Sequence, residues 1–200
     1  MLKNKDIIFA SHNKGKINEI RELLSPYGIN VLSANDLNLP DVEETGKTFE
    51  ENAYIKALSA AKEKNIPCFA DDSGLCVDAM GGKPGVYTAR YAPERNFDLG
   101  MDKLLKELEQ SNSKNRAAHF ACVIVLAYPD GRYKSFEGRV DGNIAPKKSG
   151  NSGFGYDPIF IPTGYDISFA EFNSAEKNKI SHRGRALQKF ITYLTSKDEI

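Results

Sequence analysis

Residues 6–32, DIIFASHNKGKINEIRELLSPYGINVL, decide the fold class. Asp6 to Ala10 carries the apolar run Ile7, Ile8 and Phe9, which reads as a buried strand. A polar loop follows. Ile17, Ile20, Leu23 and Leu24 then recur at helical spacing, and Pro26 and Gly28 end that helix. Ile29 to Leu32 reads as a second strand. A strand, a polar loop, a helix and a strand in this order open an α/β unit.

Outward from that unit, Asp36 to Lys47 is a long acidic connection. Thr48 and Glu51 carry a capping-box signature, and Phe49, Ala53, Ala57 and Ala60 give the helix that follows, to about Asn65, a core-facing stripe. Cys68 to Ala70 and Leu75 to Val77 are predicted as two short strands around a polar turn, Asp71 to Gly74. Gly81 to Gly85 reads as a loop, and Met101, Leu104, Leu105 and Leu108 mark a helix. Ala117 to Tyr128 and Tyr133 to Val140 form a predicted hairpin that turns at Pro129, Asp130 and Gly131. Asn151 to Pro158 is a glycine-rich loop. Leu187, Phe190, Ile191 and Leu194 give a last helix its apolar face. Strands and helices alternate only loosely, which predicts a mixed sheet.

The 200 residues suit one domain, or two lobes sharing a core. The 27 basic and 27 acidic residues cancel, which argues against a general electrostatic grip on nucleic acid and leaves room for a local basic pocket. Cys68, Cys76 and Cys122 include no C-x-x-C pair and lie in apolar stretches, so they read as buried small hydrophobes rather than disulfide partners or zinc ligands. The opening MLKNKDIIFA has too short an apolar run for a signal peptide, and no stretch reaches the ~20 apolar residues of a membrane span. The expected setting is cytoplasmic and reducing, with no membrane partner.

Candidate chemistry begins in the loop Ser11, His12, Asn13, Lys14, Gly15 and Lys16. It lies between a strand and a helix N-terminus, where backbone N–H groups and the helix dipole favour an anion. Its G-x-x-x-x-G-K-[ST] spacing is absent, so it is not a Walker A loop. The alternative is a surface turn with helix-capping residues. Glu43, Glu44, Asp71 and Asp72 offer hard oxygen ligands of the kind Mg²⁺ takes alongside substrate phosphates; an Asx-turn for the aspartates and a solvated face for Glu43 are the competing readings. Lys56 sits near the apolar face of its helix, with Asn52 one turn earlier, and either snorkels along the core edge or points at a phosphate. Gly153, Phe154, Gly155, Tyr156, Asp157 and Pro158 either present a ring for base stacking or form a tight turn with two core aromatics. Glu176, Lys177, Ser181, His182 and Arg183 place cationic donors before a helix, with Ser181 as its expected N-cap. His119 reads as part of a strand. No G-x-S-x-G elbow is present, and no cysteine has an activating pair nearby in sequence.

These segments, in order, resemble the inosine triphosphate pyrophosphatase family, the XTP/dITP diphosphatases. The resemblance is carried by Ser11-His12-Asn13-Lys14-Gly15-Lys16, Glu43-Glu44-Thr45-Gly46, Thr48-Phe49-Glu50-Glu51-Asn52-Ala53 with Lys56-Ala57, Ala70-Asp71-Asp72-Ser73-Gly74-Leu75, Pro84 to Tyr91, Gly153 to Pro158 and Ser181-His182-Arg183. It implies a single α/β domain over residues 1–200, with two lobes around a long twisted mixed sheet, flanking helices and a substrate cleft. It implies a homodimer that hydrolyses ITP, dITP and XTP to the monophosphate and pyrophosphate with Mg²⁺, cleansing the nucleotide pool. Ser11, Asn13 and Lys16 are then expected to hold the triphosphate with Lys56. Glu44 and Asp72 are expected to position the metal and the water, with Asp72 as general base. Ser73 is expected to touch the substrate, and Phe154 to stack on the purine beside Gly155, Tyr156 and Asp157. Lys177, His182 and Arg183 are expected to read the base. A nucleotide sensor without hydrolysis, a pyrophosphatase for other nucleotides and a single-strand nucleic-acid binder are the rivals.

Overall fold

The computed structural model describes residues 5–196. Its helices are α1 (Lys14–Leu24), α2 (Phe49–Lys64), α3 (Phe97–Gln110), α4 (Ser174–Ile180) and α5 (His182–Ser196). Its strands are β1 (Lys5–Phe9), β2 (Ile29–Ser33), β3 (Cys68–Val77), β4 (Lys83–Pro84), β5 (Ala117–Ala127), β6 (Tyr133–Ile144) and β7 (Phe160–Pro162). The sheet order is β2-β1-β3-β5-β6-β7, with β4 on β3. β1 pairs in parallel with β2 and β3, whereas β4 and β7 pair antiparallel with β3 and β6. The sheet is therefore mixed, as the loose alternation of elements predicts. Among the described residues no helix is long and apolar enough to cross a membrane.

The chain divides into two compact units. The first holds the described parts of Met1–Asp72, Cys122–Glu137 and Ala186–Ile200; the second holds Ser73–Ala121 and Gly138–Arg185.

In the first unit the two-residue pleat of the strands assigns side chains to two cores. Phe9, Phe69, Cys122, Ile124 and Leu126 pack with Ile17, Ile20 and Leu24 of α1 and with Leu187, Phe190 and Leu194 of α5. The alternate residues Ala70, Val123, Val125 and Ala127 pack with Ala53 and Ala57 of α2. Ile8 and Cys68 join Ala60 and Ala61 of the same helix. Helices covering both faces explain why these strands read as unbroken apolar runs. The second unit has its own core, in which Leu75, Val77, Leu104, Leu108, Phe120, Val140, Phe160 and Phe169 meet.

The helix signals act as their sequence suggests. Asn13 caps α1 by accepting from Lys16 N–H, and Thr48 and Glu51 form a reciprocal capping box on α2. All three cysteines are buried.

Two expectations need correction. The predicted turn at Asp71 to Gly74 is strand: β3 runs unbroken from Cys68 to Val77, and its aspartates are buried. A polar run stays extended there because charged partners meet it on either face, as the site below shows. The second correction is α4, a helix of seven residues that the sequence reading left unassigned. It has little apolar periodicity and is set by Asn173, whose side chain accepts from Glu176 N–H.

Candidate active site

The pleat of β3 gives consecutive aspartates opposite directions. Asp71 shares the face of Phe69 and meets α1; Asp72 shares the face of Ala70 and meets α2. Lys16 Nζ lies 3.1 Å from Asp71 Oδ2. On the other face, Asn52 Nδ2 donates to Asp72 Oδ2 at 3.0 Å, and Lys56 Nζ lies 3.9 Å from Asp72 Oδ1. Lys56 also bonds Glu44 Oε1 at 2.6 Å, which brings the end of the acidic connection to the same ammonium. Asn52 and Lys56 are four residues apart and therefore share one face of α2.

In this first-unit cluster three carboxylates, Glu44, Asp71 and Asp72, face two ammoniums, Lys16 and Lys56. These acids and ammoniums meet in a largely buried place. Burial works against the charge of Lys56, yet Asp72, Asp71 and Glu44 outweigh it and hold the lysine above its ordinary pKa. Burial likewise lifts Asp72 above the ordinary carboxylate range; Lys56 and Lys16 pull it down, Glu44 pushes it up and the Asn52 hydrogen bond pulls it down. The two shifts have different causes: burial raises Asp72, and the surrounding carboxylates raise Lys56.

The loop before α1 sits beside this cluster in sequence and serves partly as a cap. Ser11 Oγ accepts from Asn13 N–H at 3.3 Å, and Asn13 Oδ1 accepts from Lys16 N–H at 3.1 Å. His12 Nδ1 lies 2.7 Å from Asn35 Oδ1, and both Lys14 and Gly15 are exposed. Lys16 is the loop residue that the structure brings to the carboxylates. Ser11 and Asn13 contribute a shaped turn at a helix N-terminus, the geometry that suits an anion.

The second unit builds a different cluster. Asp157 is buried and accepts from Phe154 N–H at 2.8 Å through Oδ2, which also pairs with Lys177 Nζ at 2.6 Å. Gly153 has φ +75°, and a β-carbon there would collide with the Asp157 carboxylate. The half-buried Phe154 ring has two cations near it, Lys177 Nζ at 5.1 Å and Arg183 Cζ at 5.3 Å from its centroid. Arg183 is 2% exposed and donates from Nη2 to Ser73 Oγ at 3.0 Å. Ser181 caps the first turn of α5 by accepting from Gly184 N–H, which places Arg183 in that turn.

Phe154, Asp157, Lys177, Arg183 and Ser73 thus come together. The rings of Tyr156 and His182 take other positions. Tyr156 is buried, lies edge-on to Phe97 and donates to Thr88 O at 3.3 Å. His182 is buried and stacks on Phe120, with ring centroids 4.7 Å apart. Both rings belong to the unit's core. Sequence reasoning singled out Asp71 without a partner, and placed Asn52 beside Lys56 rather than against Asp72. The doublet Asp71-Asp72 in a strand with helices on both faces was the available signal.

The donor set suits a hard divalent cation in part. Among the described residues no group of three or more His, Cys, Asp or Glu side chains is arranged to hold a metal ion by itself. Mg²⁺ commonly takes one or two carboxylates and completes its shell from water and substrate phosphates. Glu44 and Asp72 flank one cationic group, Lys56, so two hard oxygen donors already converge on one point.

The model of the Ham1 family matches residues 7–193. A dITP/XTP pyrophosphatase of Bacillus licheniformis is 48% identical over 95% of this chain and 98% of its own. One from Agrobacterium fabrum is 47% identical over 95% and 96%. A solved HAM1 protein from Coxiella burnetii superposes with a TM-score of 0.90 at 41% identity, covering 96% of this chain and 99% of that one. The Ham1 protein of Staphylococcus aureus gives 0.86 at 43% identity, covering 96% and 99%.

A consequence concerns the buried pair of the second unit. Lys177→Met leaves the Asp157 carboxylate buried without its ammonium and is expected to cost about 3–5 kcal/mol, whereas Lys177→Met with Asp157→Asn is expected to recover part of that loss. Urea unfolding of both variants checks this; equal losses would show that the ion pair is not what makes Lys177 necessary.

Proposed function

Because the chain belongs to the Ham1 family, we propose that it hydrolyses purine nucleoside triphosphates outside the standard set (ITP, dITP and XTP) to the monophosphate and pyrophosphate, and so cleanses the nucleotide pool. The observation that carries the reading is the placement of Asp72, a buried carboxylate between Lys56 and Asn52 with Glu44 on the same lysine.

The first-unit cluster takes the triphosphate. Lys16 and Lys56 neutralise phosphate charge, and Ser11 and the N–H groups at the start of α1 complete the anion site. Asn13 spends its carbonyl oxygen on the cap, so it offers its amide N–H groups to the phosphates. Glu44 and Asp72 would hold Mg²⁺, which when bound draws charge from the phosphate oxygens and helps orient the water. The water oxygen bonds to the α-phosphorus while Asp72 accepts the water's proton. The α–β anhydride bond breaks, and pyrophosphate leaves with the bonding pair. No covalent nucleophile is needed, because positioning and charge stabilisation supply the catalysis.

The second-unit cluster takes the base. Phe154, fixed through its N–H by Asp157, offers a face for stacking, beside Gly155. Lys177 and Arg183 are donors that suit the 6-oxo group of hypoxanthine and xanthine and leave the 6-amino group of adenine without an acceptor. His182 and Tyr156 support this wall from the core. Ser73 follows the proposed base, Asp72, directly in the chain and accepts from Arg183. The reading extends to a homodimer working in the cytoplasm; the absence of a net basic charge supports its independence from nucleic acid.

Incubation with dITP and Mg²⁺ should release pyrophosphate and dIMP well above the rate with ATP. No release above a blank would favour a protein that holds the nucleotide without cleaving it. The pH profile is a second check. Asp72 must be ionised to accept the proton, and burial raises its pKa above the ordinary 3.8. Activity is therefore lost as pH falls and Asp72 is protonated, and since Mg²⁺ beside Asp72 favours the carboxylate, more Mg²⁺ should move the acid limb of kcat/KM to lower pH. An acid limb that does not respond to Mg²⁺ would contradict the assignment.

A further inference from the structure

Asn52 is the one wholly buried amide side chain in the first-unit cluster, at 0% exposed. Its two ends have different partners. Nδ2 donates to Asp72 Oδ2 at 3.0 Å, and Oδ1 accepts from Gly46 N–H at 2.8 Å. The chemistry of the partners dictates this orientation: a carboxylate only accepts, and a backbone N–H only donates. A flipped amide would face oxygen with oxygen and N–H with N–H. Asn52 therefore bridges two separate pieces of chain, the strand that bears Asp72 and the end of the connection that bears Glu44.

The surroundings make the bridge stiff. Gly46 lies two residues after Glu44, and a β-carbon on it would stand 2.7 Å from Asn52 Oδ1 and 2.6 Å from Glu51 Cβ. Only glycine lets the backbone come this close. Next to it, Glu51 Oε2 accepts from Lys47 N–H at 2.5 Å and from Thr48 N–H at 3.3 Å. The connection is thus anchored to the first turn of α2, at Asn52 and Glu51. Lys56, one turn further along the helix, meets Glu44 and Asp72 from the same face.

We propose that Asn52 is a positioning residue for the hydrolysis: with Gly46 it latches the Glu44 segment to Asp72, so that the two carboxylates keep the separation and the orientation that catalysis needs. The inference rests on the proposed pyrophosphatase reading. Asn52 acts through the carboxylates and takes no part in holding the base or the phosphates. Its loss should therefore lower kcat and leave KM nearly unchanged. A role confined to stability would instead lower the melting temperature with kcat kept.

Asn52→Asp keeps an acceptor for Gly46 N–H and turns the donor to Asp72 into a carboxylate that repels it, so it is read beside the uncharged Gly46→Ala. Steady-state kinetics with dITP and Mg²⁺ should show kcat reduced at least ~30-fold and KM changed by less than ~3-fold, since mispositioning a reacting group acts on the transition state. In the Asp72→Asn background the same substitution should cost less than ~2-fold, because residues acting as a unit are not additive. Gly46→Ala serves if Asn52→Asp does not fold. It strikes the other end of the latch and should give the same kcat-selective loss. A parent protein that releases no pyrophosphate would sink the functional reading itself. A parent that does, with kcat in the folded variants within ~2-fold of it, would overturn the latch alone, as would an undiminished effect of Asn52→Asp in the Asp72→Asn background.

Discussion

Strand β3 has a period of two, and it carries two aspartates in succession. Everything chemical in the first unit depends on that constraint. The pleat sends Asp71 to the face covered by α1 and Asp72 to the face covered by α2. Each helix then supplies a lysine, Lys16 on one side and Lys56 on the other. Two buried acids side by side on one face would repel one another; on opposite faces each has its own cation. The same geometry explains why a polar segment remains strand inside an apolar sheet, since buried charge persists where it is paired and hydrogen-bonded.

The second unit solves a parallel problem with different parts. A buried carboxylate, Asp157, and a buried ammonium, Lys177, compensate one another. Their common product is the placement of Phe154, whose N–H is held by that carboxylate and whose ring has Lys177 and Arg183 near it. Arg183 reaches this position because Ser181 starts α5 two residues before it. In both units local capping chemistry sets where a long cationic side chain begins; distant acids set where Lys16, Lys56 and Lys177 end, and the Ser73 hydroxyl where Arg183 ends.

The amphipathic helices and the α/β opening were legible in the sequence because each is a local, periodic signal. Ile17, Ile20 and Leu24 fall on one face of α1 whatever lies elsewhere in the chain. The thread of β3 was not legible, because its evidence is not local. Asp71 to Gly74 has the composition of a turn, and only Lys16, 55 residues earlier, and Asn52, 20 residues earlier, explain why it is extended. The site residues divide in the same way. Lys16 and Lys56 were expected at the triphosphate with Ser11 and Asn13, and Glu44 and Asp72 at the metal; the two lysines and the two acids lie in one cluster. Tyr156 was named with Phe154 for the base, yet its ring belongs to the core. Spacing alone cannot separate the two aromatics of a G-F-G-Y loop. That Asn52 joins Glu44's segment to Asp72 could be read only from its two hydrogen bonds.

The division of labour between the two aspartates is the centre of this account, and steady-state kinetics of Asp71→Asn beside Asp72→Asn test it most directly. Asp72→Asn removes the proton acceptor and should lower kcat for dITP by about 10²–10⁴-fold, the range of general-base catalysis, in a protein that still melts cooperatively. Asp71→Asn frees Lys16 from its carboxylate without touching the acceptor, and should act mainly on KM, with kcat kept within about tenfold. If Asp71→Asn lowers kcat as far as Asp72→Asn does, the pleat has not separated a base from a phosphate-binding support, and the assignment of the chemistry to Asp72 alone is wrong.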